Sequence, residues 1–281
     1  GAKVLGIDRT STVLAPREDI GAIDSKLQLA SFDEYPQFKI DKMEAMEDIV
    51  RYANGFINYD LVKVWANESG ALIDWLTEIV ERDGRLVMQF EGSVGTEGQG
   101  ARDKAWATGH SPNKTDKGKE DKNFNFGVSL KEYAEEKGAE FRWSTELIKL
   151  EQDESGRVVG VIARDVQGER PYLRITASKG VILSTGDYSQ NTKMLQHFCP
   201  EVIENNIQCL FTNVDVEGNF TNQGDGIQLG MWAGAQVQQS HAPMIHHMGG
   251  GADLAGVGVM GNAGFLNLDL NGKRFMNEDL P

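Results

Sequence analysis

The apolar pattern of this chain changes period near Gly138, and that change constrains the fold more than any other feature. Upstream, apolar residues recur at helical spacing over about 42–54 and again over 60–81. Leu61, Val64, Trp65, Leu72, Trp75, Leu76 and Ile79 read as the core face of the second helix. A further helix is expected at about 128–137, with Gly138 as its C-terminal cap. Downstream, short alternating runs begin at Glu140, Thr145, Arg157 and Tyr172, separated by turn signals at Asp153–Gly156 and Gln167-Gly168. They read as a small antiparallel meander. Two short aliphatic runs bracket it, Gly1–Asp8 and Lys179–Gly186, each with the look of a buried parallel strand. Residues 91–126 are rich in Gly, Lys, Asp and Asn and read as a long surface loop. No repeat of solenoid-like period is visible.

A mixture of buried parallel strands, helices and a meander needs an ordinary globular composition, and the chain has one. Of its 281 residues, 40% are hydrophobic and 25% charged, which excludes a disordered chain. The formal charge of −14 argues against a nucleic-acid coat and against an anionic membrane surface, because both call for a basic face. Cys199 and Cys209 stand in no metal-binding or disulfide-framework spacing. The most apolar long run, Gly249–Leu268, is too rich in glycine and carries Asp253, so it does not read as a membrane span. The chain starts on Gly1 inside an apparent strand and stops at Pro281 after the hairpin signal Asn271-Gly272. A fragment lacking both ends is expected, and its cellular compartment, cytoplasmic or exported, stays open.

Three places could carry chemistry. Asp8 closes an aliphatic strand, where dinucleotide-binding folds place an acid for the ribose hydroxyls; a plain Asp-Arg turn is the other reading. Thr185-Gly186 ends the second aliphatic run, and glycine there lets backbone approach a ligand or simply makes a tight turn. Asp225 precedes a short helix expected from Gly226 to about Gly234, either as its N-cap or as a carboxylate able to hold a hydroxyl near a phosphate. His241, His246 and His247 match no metal signature, so no metal site is expected. Histidines that line a polar pocket and structural histidines both remain open for this group.

In this order, the motifs Gly-Ala-Lys-Val-Leu-Gly-Ile-Asp (1–8), Gly-Arg-Val-Val-Gly-Val with Lys-Gly-Val-Ile-Leu-Ser-Thr-Gly-Asp-Tyr-Ser-Gln-Asn (156–191), Gln-Gly-Asp-Gly-Ile-Gln-Leu-Gly-Met-Trp-Ala-Gly-Ala (223–235) and Asn-Gly-Lys-Arg-Phe-Met-Asn-Glu (271–278) carry a resemblance. The chain is similar to the FAD-binding subunit family of fumarate reductase and succinate dehydrogenase. More closely it resembles the single-chain bacterial branch with 3-ketosteroid dehydrogenases and other enoate reductases. The resemblance implies an α/β fold, with a Rossmann-like FAD-binding domain over 1–238 that lacks its first strand. The antiparallel meander belongs to that domain, and an α+β substrate-capping domain would begin at 239–281.

The implied cofactor is FAD. Asp8 matches the ribose acid, and Asp19, Ile20, Gly21 and Ala22 resemble the backbone stretch along the diphosphate and flavin. Leu147 matches the residue whose backbone meets adenine, Thr185 and Gly186 the Ala-Thr-Gly turn, and Asp225 the Gly-Asp-Gly acid. His241 stands near the family's Gln-x-His-Pro position, with Ala242 where the proline is expected, and is the candidate catalytic residue. The dicarboxylate reductases' Thr-Glu-x-x-Arg stretch falls on Val257, Gly258 and Gly261, which points away from fumarate and toward a bulkier or less charged acceptor.

The implied activity is hydride transfer between flavin and an activated C–C bond of a small carbonyl or carboxylate substrate. A desaturating 3-ketosteroid-type dehydrogenase is the alternative, and a non-catalytic module without a working flavin site is the rival of another class. The electron donor or acceptor is not identifiable. By itself the chain is expected to bind FAD weakly or not at all and to be inactive, because the diphosphate would lack its helix N-terminus.

Overall fold

A computed structural model describes residues 2–13, 20–53, 55–92, 106–167, 172–206, 219–238 and 268–274. In chain order the elements of the first half are β1 (Leu5–Ile7), β2 (Ile20–Gly21), α1 (Lys26–Ala30), α2 (Lys42–Tyr52), α3 (Tyr59–Val80), β3 (Leu86–Glu91), β4 (Gly109–Lys114) and α4 (Asp116–Lys119). Then come α5 (Phe126–Glu136), β5 (Glu140–Arg142), β6 (Thr145–Gln152), β7 (Val158–Asp165), β8 (Tyr172–Thr176), α6 (Thr192–Phe198), α7 (Pro200–Glu204) and α8 (Asp225–Trp232). The chain divides into two compact units, Gly1–Leu14 with Ala134–Met260 and Ala15–Tyr133 with Gly261–Pro281. Among the described residues no helix is long and apolar enough to cross a membrane.

In the first unit, β1 runs parallel to β5, with Leu5 opposite Glu140 and Ile7 opposite Arg142. The sequence pattern groups Glu140–Trp143 with the meander, and the structure corrects this. Ser144 takes a positive φ of 50° and separates β5 from β6. The N–H groups of Ser144 and Thr145 donate to the carbonyls of Thr10 and Asp8, so β5 is bound to β1. The meander proper is β6-β7-β8, antiparallel throughout. Its turn at Asp153–Gly156 closes on the Asp153 carboxylate, which accepts the N–H groups of Ser155 and Arg157. Leu150 and Val161 form its core with Leu229 of α8, flanked by Ile7, Leu147 and Val181.

The expected buried strand over Lys179–Gly186 is not formed. The segment joins no ladder among the described residues, and Ile182 is 92% exposed. An aliphatic run becomes a strand only where a neighbouring strand takes its N–H and C=O groups, and no described strand lies beside this one.

In the second unit, a β2-β4-β3 antiparallel sheet packs against α3 and α5 around Ala22, Ile73, Leu76, Val80, Leu86, Met88 and Phe124. The Arg85 guanidinium lies 3.7 Å from the Phe124 ring centroid and pairs with Asp83 and Glu132, tying α5 to the start of β3. Part of the expected 91–126 loop is therefore ordered structure, namely β4 and α4. Gly-His-Ser-Pro-Asn-Lys lacks the apolar alternation of a strand, and its place is set by pairing with β3 from Leu86↔Lys114 to Glu91↔Gly109. Among the described residues β2 pairs with Gly109 and His110, and none of them pairs with Pro112 on that side of β4.

Helix α3 corrects a second expectation. Its buried face is Val62, Ala66, Ser69, Gly70, Ile73, Leu76, Ile79 and Val80, while Leu61, Val64, Leu72 and Trp75 are exposed. Small residues decide the face. A methyl group on Gly70 would overlap the Ile23 carbonyl and lie 2.6 Å from the Asp24 carbonyl, so α3 meets the 22–24 backbone only through a glycine. The hairpin expected at Asn271-Gly272 is present: Leu268 bridges Arg274, and Gly272 has φ 74°.

Candidate functional site

In the first unit the C-terminal end of β1 presents Asp8 as an exposed side chain. The Asp8 Oδ1 accepts the Thr10 N–H at 2.8 Å, and the Thr10 hydroxyl lies 2.6 Å from the same oxygen. Thr10 itself is buried, so the turn after β1 is fixed from inside and Oδ2 is left facing outward. Sequence reasoning missed Thr10; the Asp-x-Thr spacing of an Asx turn was its signal. An outward carboxylate on a rigid turn is what a ribose diol requires, since each hydroxyl donates to a carboxylate oxygen.

Arg9 reaches from the same turn to α8, where its guanidinium lies 3.9 Å from the Asp225 carboxylate. Asp225 is the first residue of α8 and not its N-cap, which is Gly224 in the left-handed region at φ 75°. A side chain on Gly224 would run into Tyr188 and Met194, so packing as well as conformation requires glycine there. The capping role passes to Thr185, whose Oγ1 accepts the Gly226 N–H at 3.1 Å. A methyl at Gly226 would overlap that hydroxyl. Thr185 and Asp225 are thereby brought together at the start of α8.

Gly186 has φ 76° and its missing Cβ would meet nothing closer than Asn222 Nδ2 at 4.0 Å. The turn is held by residues that sequence reasoning did not select. Asp187 Oδ1 accepts from the Ser189 N–H and from Asn222 Nδ2, and the Asp187 carbonyl accepts the Gly224 N–H. Asn191 Nδ2 donates to the Gln223 carbonyl while its Oδ1 caps α6. The buried Tyr188 hydroxyl lies 3.5 Å from Cys199 Sγ, and burial together with that contact pushes its pKa up. Leu147 stands where the register of β6 against β7 shifts between Leu147 and Lys149, a bulge that frees backbone groups from the ladder.

Ile20, Gly21 and Ala22 lie in the second unit. Gly21 is exposed, whereas Ala22 is fully buried with its N–H on the Thr108 carbonyl at 2.9 Å. Asp19 and His241 lie outside the described residues, as do His246, His247, Cys209 and the Val257, Gly258 and Gly261 positions. Among the described residues no group of His, Cys, Asp or Glu is placed to hold a metal ion.

These residues fit FAD: an outward acid after β1, a left-handed glycine with open space at Gly186, and a carboxylate beside a helix start. A family model described as "FAD binding domain" matches residues 29–281, which takes in Leu147, Thr185, Gly186, Asp225 and His241 but not Asp8 or Ile20–Ala22. The chain is similar to NADH:acrylate oxidoreductase of Vibrio harveyi, at 27% identity over 78% of this chain and 20% of that protein. It is also similar to the probable fumarate reductase Ifc3 of Shewanella frigidimarina (strain NCIMB 400), at 23% identity over 53% of this chain and 24% of that protein. Thus it spans about a fifth to a quarter of the length of these curated relatives. Among solved structures it resembles 3-ketosteroid-delta4-(5alpha)-dehydrogenase of Rhodococcus jostii RHA1, with TM-score 0.59 and 21% identity over 83% of this chain and 49% of that one. The mixed helix-and-sheet architecture with antiparallel sheets is thus a fold shared with FAD-binding proteins. The chain belongs to the FAD binding domain family, and its cofactor is FAD.

Proposed function

We propose that this chain is part of an FAD-dependent oxidoreductase that reduces an activated C–C double bond of a small unsaturated acid or enone. The observation that carries the reading is the cluster at the end of β1, where Asp8, Arg9 and the Asp225 start of α8 come together beside Thr185-Gly186. The names of the two curated relatives, which specify acrylate and fumarate, both short α,β-unsaturated acids, support the reductive direction.

Asp8 accepts the ribose hydroxyls through Oδ2, since Oδ1 is held by Thr10. The Thr185-Gly186 turn lets main chain approach the cofactor, and Asp225 holds a polyol hydroxyl next to the α8 N-terminus. Leu147 offers its backbone to adenine at the bulge, and Asp19 with Ile20–Ala22 offers main-chain atoms along the diphosphate and flavin. FAD, when bound, supplies the hydride chemistry at its N5. The carbon next to the one that accepts hydride must gain a proton. We assign His241 to the substrate, and Val257, Gly258 and Gly261, standing where the dicarboxylate reductases carry charged residues, favour a bulkier or less charged acceptor. We assign residues 1–238 to the cofactor domain and 239–281 to the start of the substrate cap.

The test is the visible spectrum of the purified protein, followed by anaerobic reoxidation of its reduced flavin with acrylate, fumarate and a 3-ketosteroid enone. Released FAD and rapid return of the oxidised-flavin absorption on adding an unsaturated acid or enone support the reading. Preference for fumarate over bulkier enoates would remove the assignment of a bulkier or less charged acceptor. Reduction of the oxidised flavin by a saturated 3-ketosteroid would favour the desaturating reaction. A colourless protein that takes up no added FAD would mean a module without a working flavin site.

A further inference from the structure

His110 is the one fully buried imidazole among the described residues, and nothing in the proposed chemistry uses it. Its Nδ1 lies 2.8 Å from the Thr108 carbonyl, which can only accept, so Nδ1 carries the ring proton. Nε2 is then bare, 2.7 Å from Ser25 Oγ, and accepts the Ser25 hydroxyl proton. Ser25 Oγ in turn accepts the Gln28 N–H as the N-cap of α1. Every polar atom in this buried chain is satisfied, but only while the imidazole is neutral.

The same network closes over the whole 20–28 stretch. Gly21 accepts from Trp65 Nε1, Ile23 donates to Ser69, and Ala22 shares the Thr108 carbonyl with His110. Asp24 donates its N–H to Gln28 Oε1, and Gln28 Nε2 donates to the Ala107 carbonyl. We propose that neutral His110 is the latch that holds the Ile20–Gln28 stretch in its flavin-facing conformation, and that protonation of Nε2 opens it. The link to flavin rests on the reading that Ile20–Ala22 face the cofactor; the latch itself does not.

The reason is local and chemical. A proton on Nε2 would face Ser25 Oγ with a second donor, leave the Ser25 hydroxyl hydrogen without an acceptor, and place a charge in full burial. Burial lowers the His110 pKa from its ordinary 6.5, opposed by the carbonyls of Thr108 and Ile20 and by Asp74. Among the described residues the charged groups around it are few. Helix α3 offers Asp74, already bound by the Lys26 N–H and near Lys26 Nζ; β3 offers Glu91, which accepts from Ser111; α1 offers Lys26; and β2 offers none. The Phe90 ring covers the imidazole at 5.2 Å between centroids. Among the described residues no carboxylate hydrogen-bonds the ring to stabilise imidazolium in place.

Hydrogen exchange read by mass spectrometry across pH, on the wild-type chain and on His110→Gln, tests this. Glutamine offers an oxygen to the Ser25 hydroxyl and does not titrate. After correction for intrinsic exchange, the 20–28 peptide of the wild type should lose protection about tenfold per pH unit below the His110 titration, while the 73–80 peptide of α3 keeps its own. The His110→Gln chain should show no such step, and His110→Asn serves if the glutamine variant fails to fold. Loss of protection at 20–28 that only tracks 73–80, or an unchanged step in the folded variant, overturns the latch. FAD titration by flavin fluorescence over the same pH range separates the two readings. If wild type takes up no FAD at any pH, the cofactor assignment fails and the exchange result still decides the latch. If FAD binds with an affinity indifferent to the opening, Ile20–Ala22 do not face the flavin.

Discussion

Ile20–Gln28 and Ser184–Asp187 both carry residues assigned here to FAD, but they are held by different physics. The first is held from inside by side chains of α3, α1 and β4, and its bonds from Ile23 to Ser69, from Ser25 to His110 and from Gln28 to Ala107 are buried where water cannot substitute. The second follows an aliphatic run, exposed at Ile182, that joins no ladder among the described residues, and it is fastened at its end by Thr185 to Gly226 and by Asp187 to Asn222 and Gly224. A buried clasp fails as a unit, because an orphaned polar group inside costs about 1–3 kcal/mol. A half-exposed clasp loses one bond at a time, with water taking up the remainder.

This difference can be broken first at Gly70. Gly70→Val places a branched side chain into the backbone of Ile23 and Asp24 and should cost about 3 kcal/mol or more in chemical denaturation. A loss below about 1 kcal/mol would mean that α3 can shift and that the 20–28 clasp is not rigid. On the exposed side, Gly226→Ala collides only with the end of a Thr185 side chain that can rotate away. The expected loss is about 1–2 kcal/mol with a weaker hold on FAD, and adding Thr185→Ala should recover part of the overlap cost. No recovery in the double variant would show that the bond, and not the crowding, sets the α8 start.

Acid sharpens the contrast. The folded pKa of His110 lies below its unfolded 6.5, so the unfolded chain binds the proton first as pH falls. Stability is therefore complete above 6.5 and declines below it, by about 1.4 kcal/mol for each unit by which the folded pKa is depressed. Thermal melts of wild type and His110→Gln should diverge in slope below that pH and run parallel above it. The smallest effect is expected for Arg9→Gln. Its pair with Asp225 is long and half-exposed, so stability should move by no more than about 0.5 kcal/mol and the difference should vanish in high salt. A larger change in melting temperature would mean that Arg9 organises the β1 turn in a way its contacts do not show.

Much of the local structure was legible from local chemistry. Asp41 and Asn58 cap α2 and α3 where the helical spacing begins, Gly138 ends α5 at φ 91°, and Asp153–Gly156 and Asp269–Gly272 turn the chain as their residue types predict. These signals act over a few residues, and no distant partner is needed to read them. Tertiary structure alone decided the rest. Leu72 and Trp75 carry far more apolar surface than Ala66 and Gly70, yet α3 buries the small face because only a glycine lets it meet the Ile23–Asp24 backbone. Gly-His-Ser-Pro carries no strand pattern and becomes β4 because β3 pairs along its whole length. Val-Ile-Leu at 181–183 carries a strong one and joins no ladder among the described residues. Asp8, Thr185 and Asp225 could be chosen from sequence because their motifs are short and contiguous, and the Asp-x-Thr spacing marks Thr10 in the same local way, whereas Asn222 and His110 could not be found so. Their roles exist only once a turn or a hydroxyl from elsewhere in the chain is brought within hydrogen-bond reach.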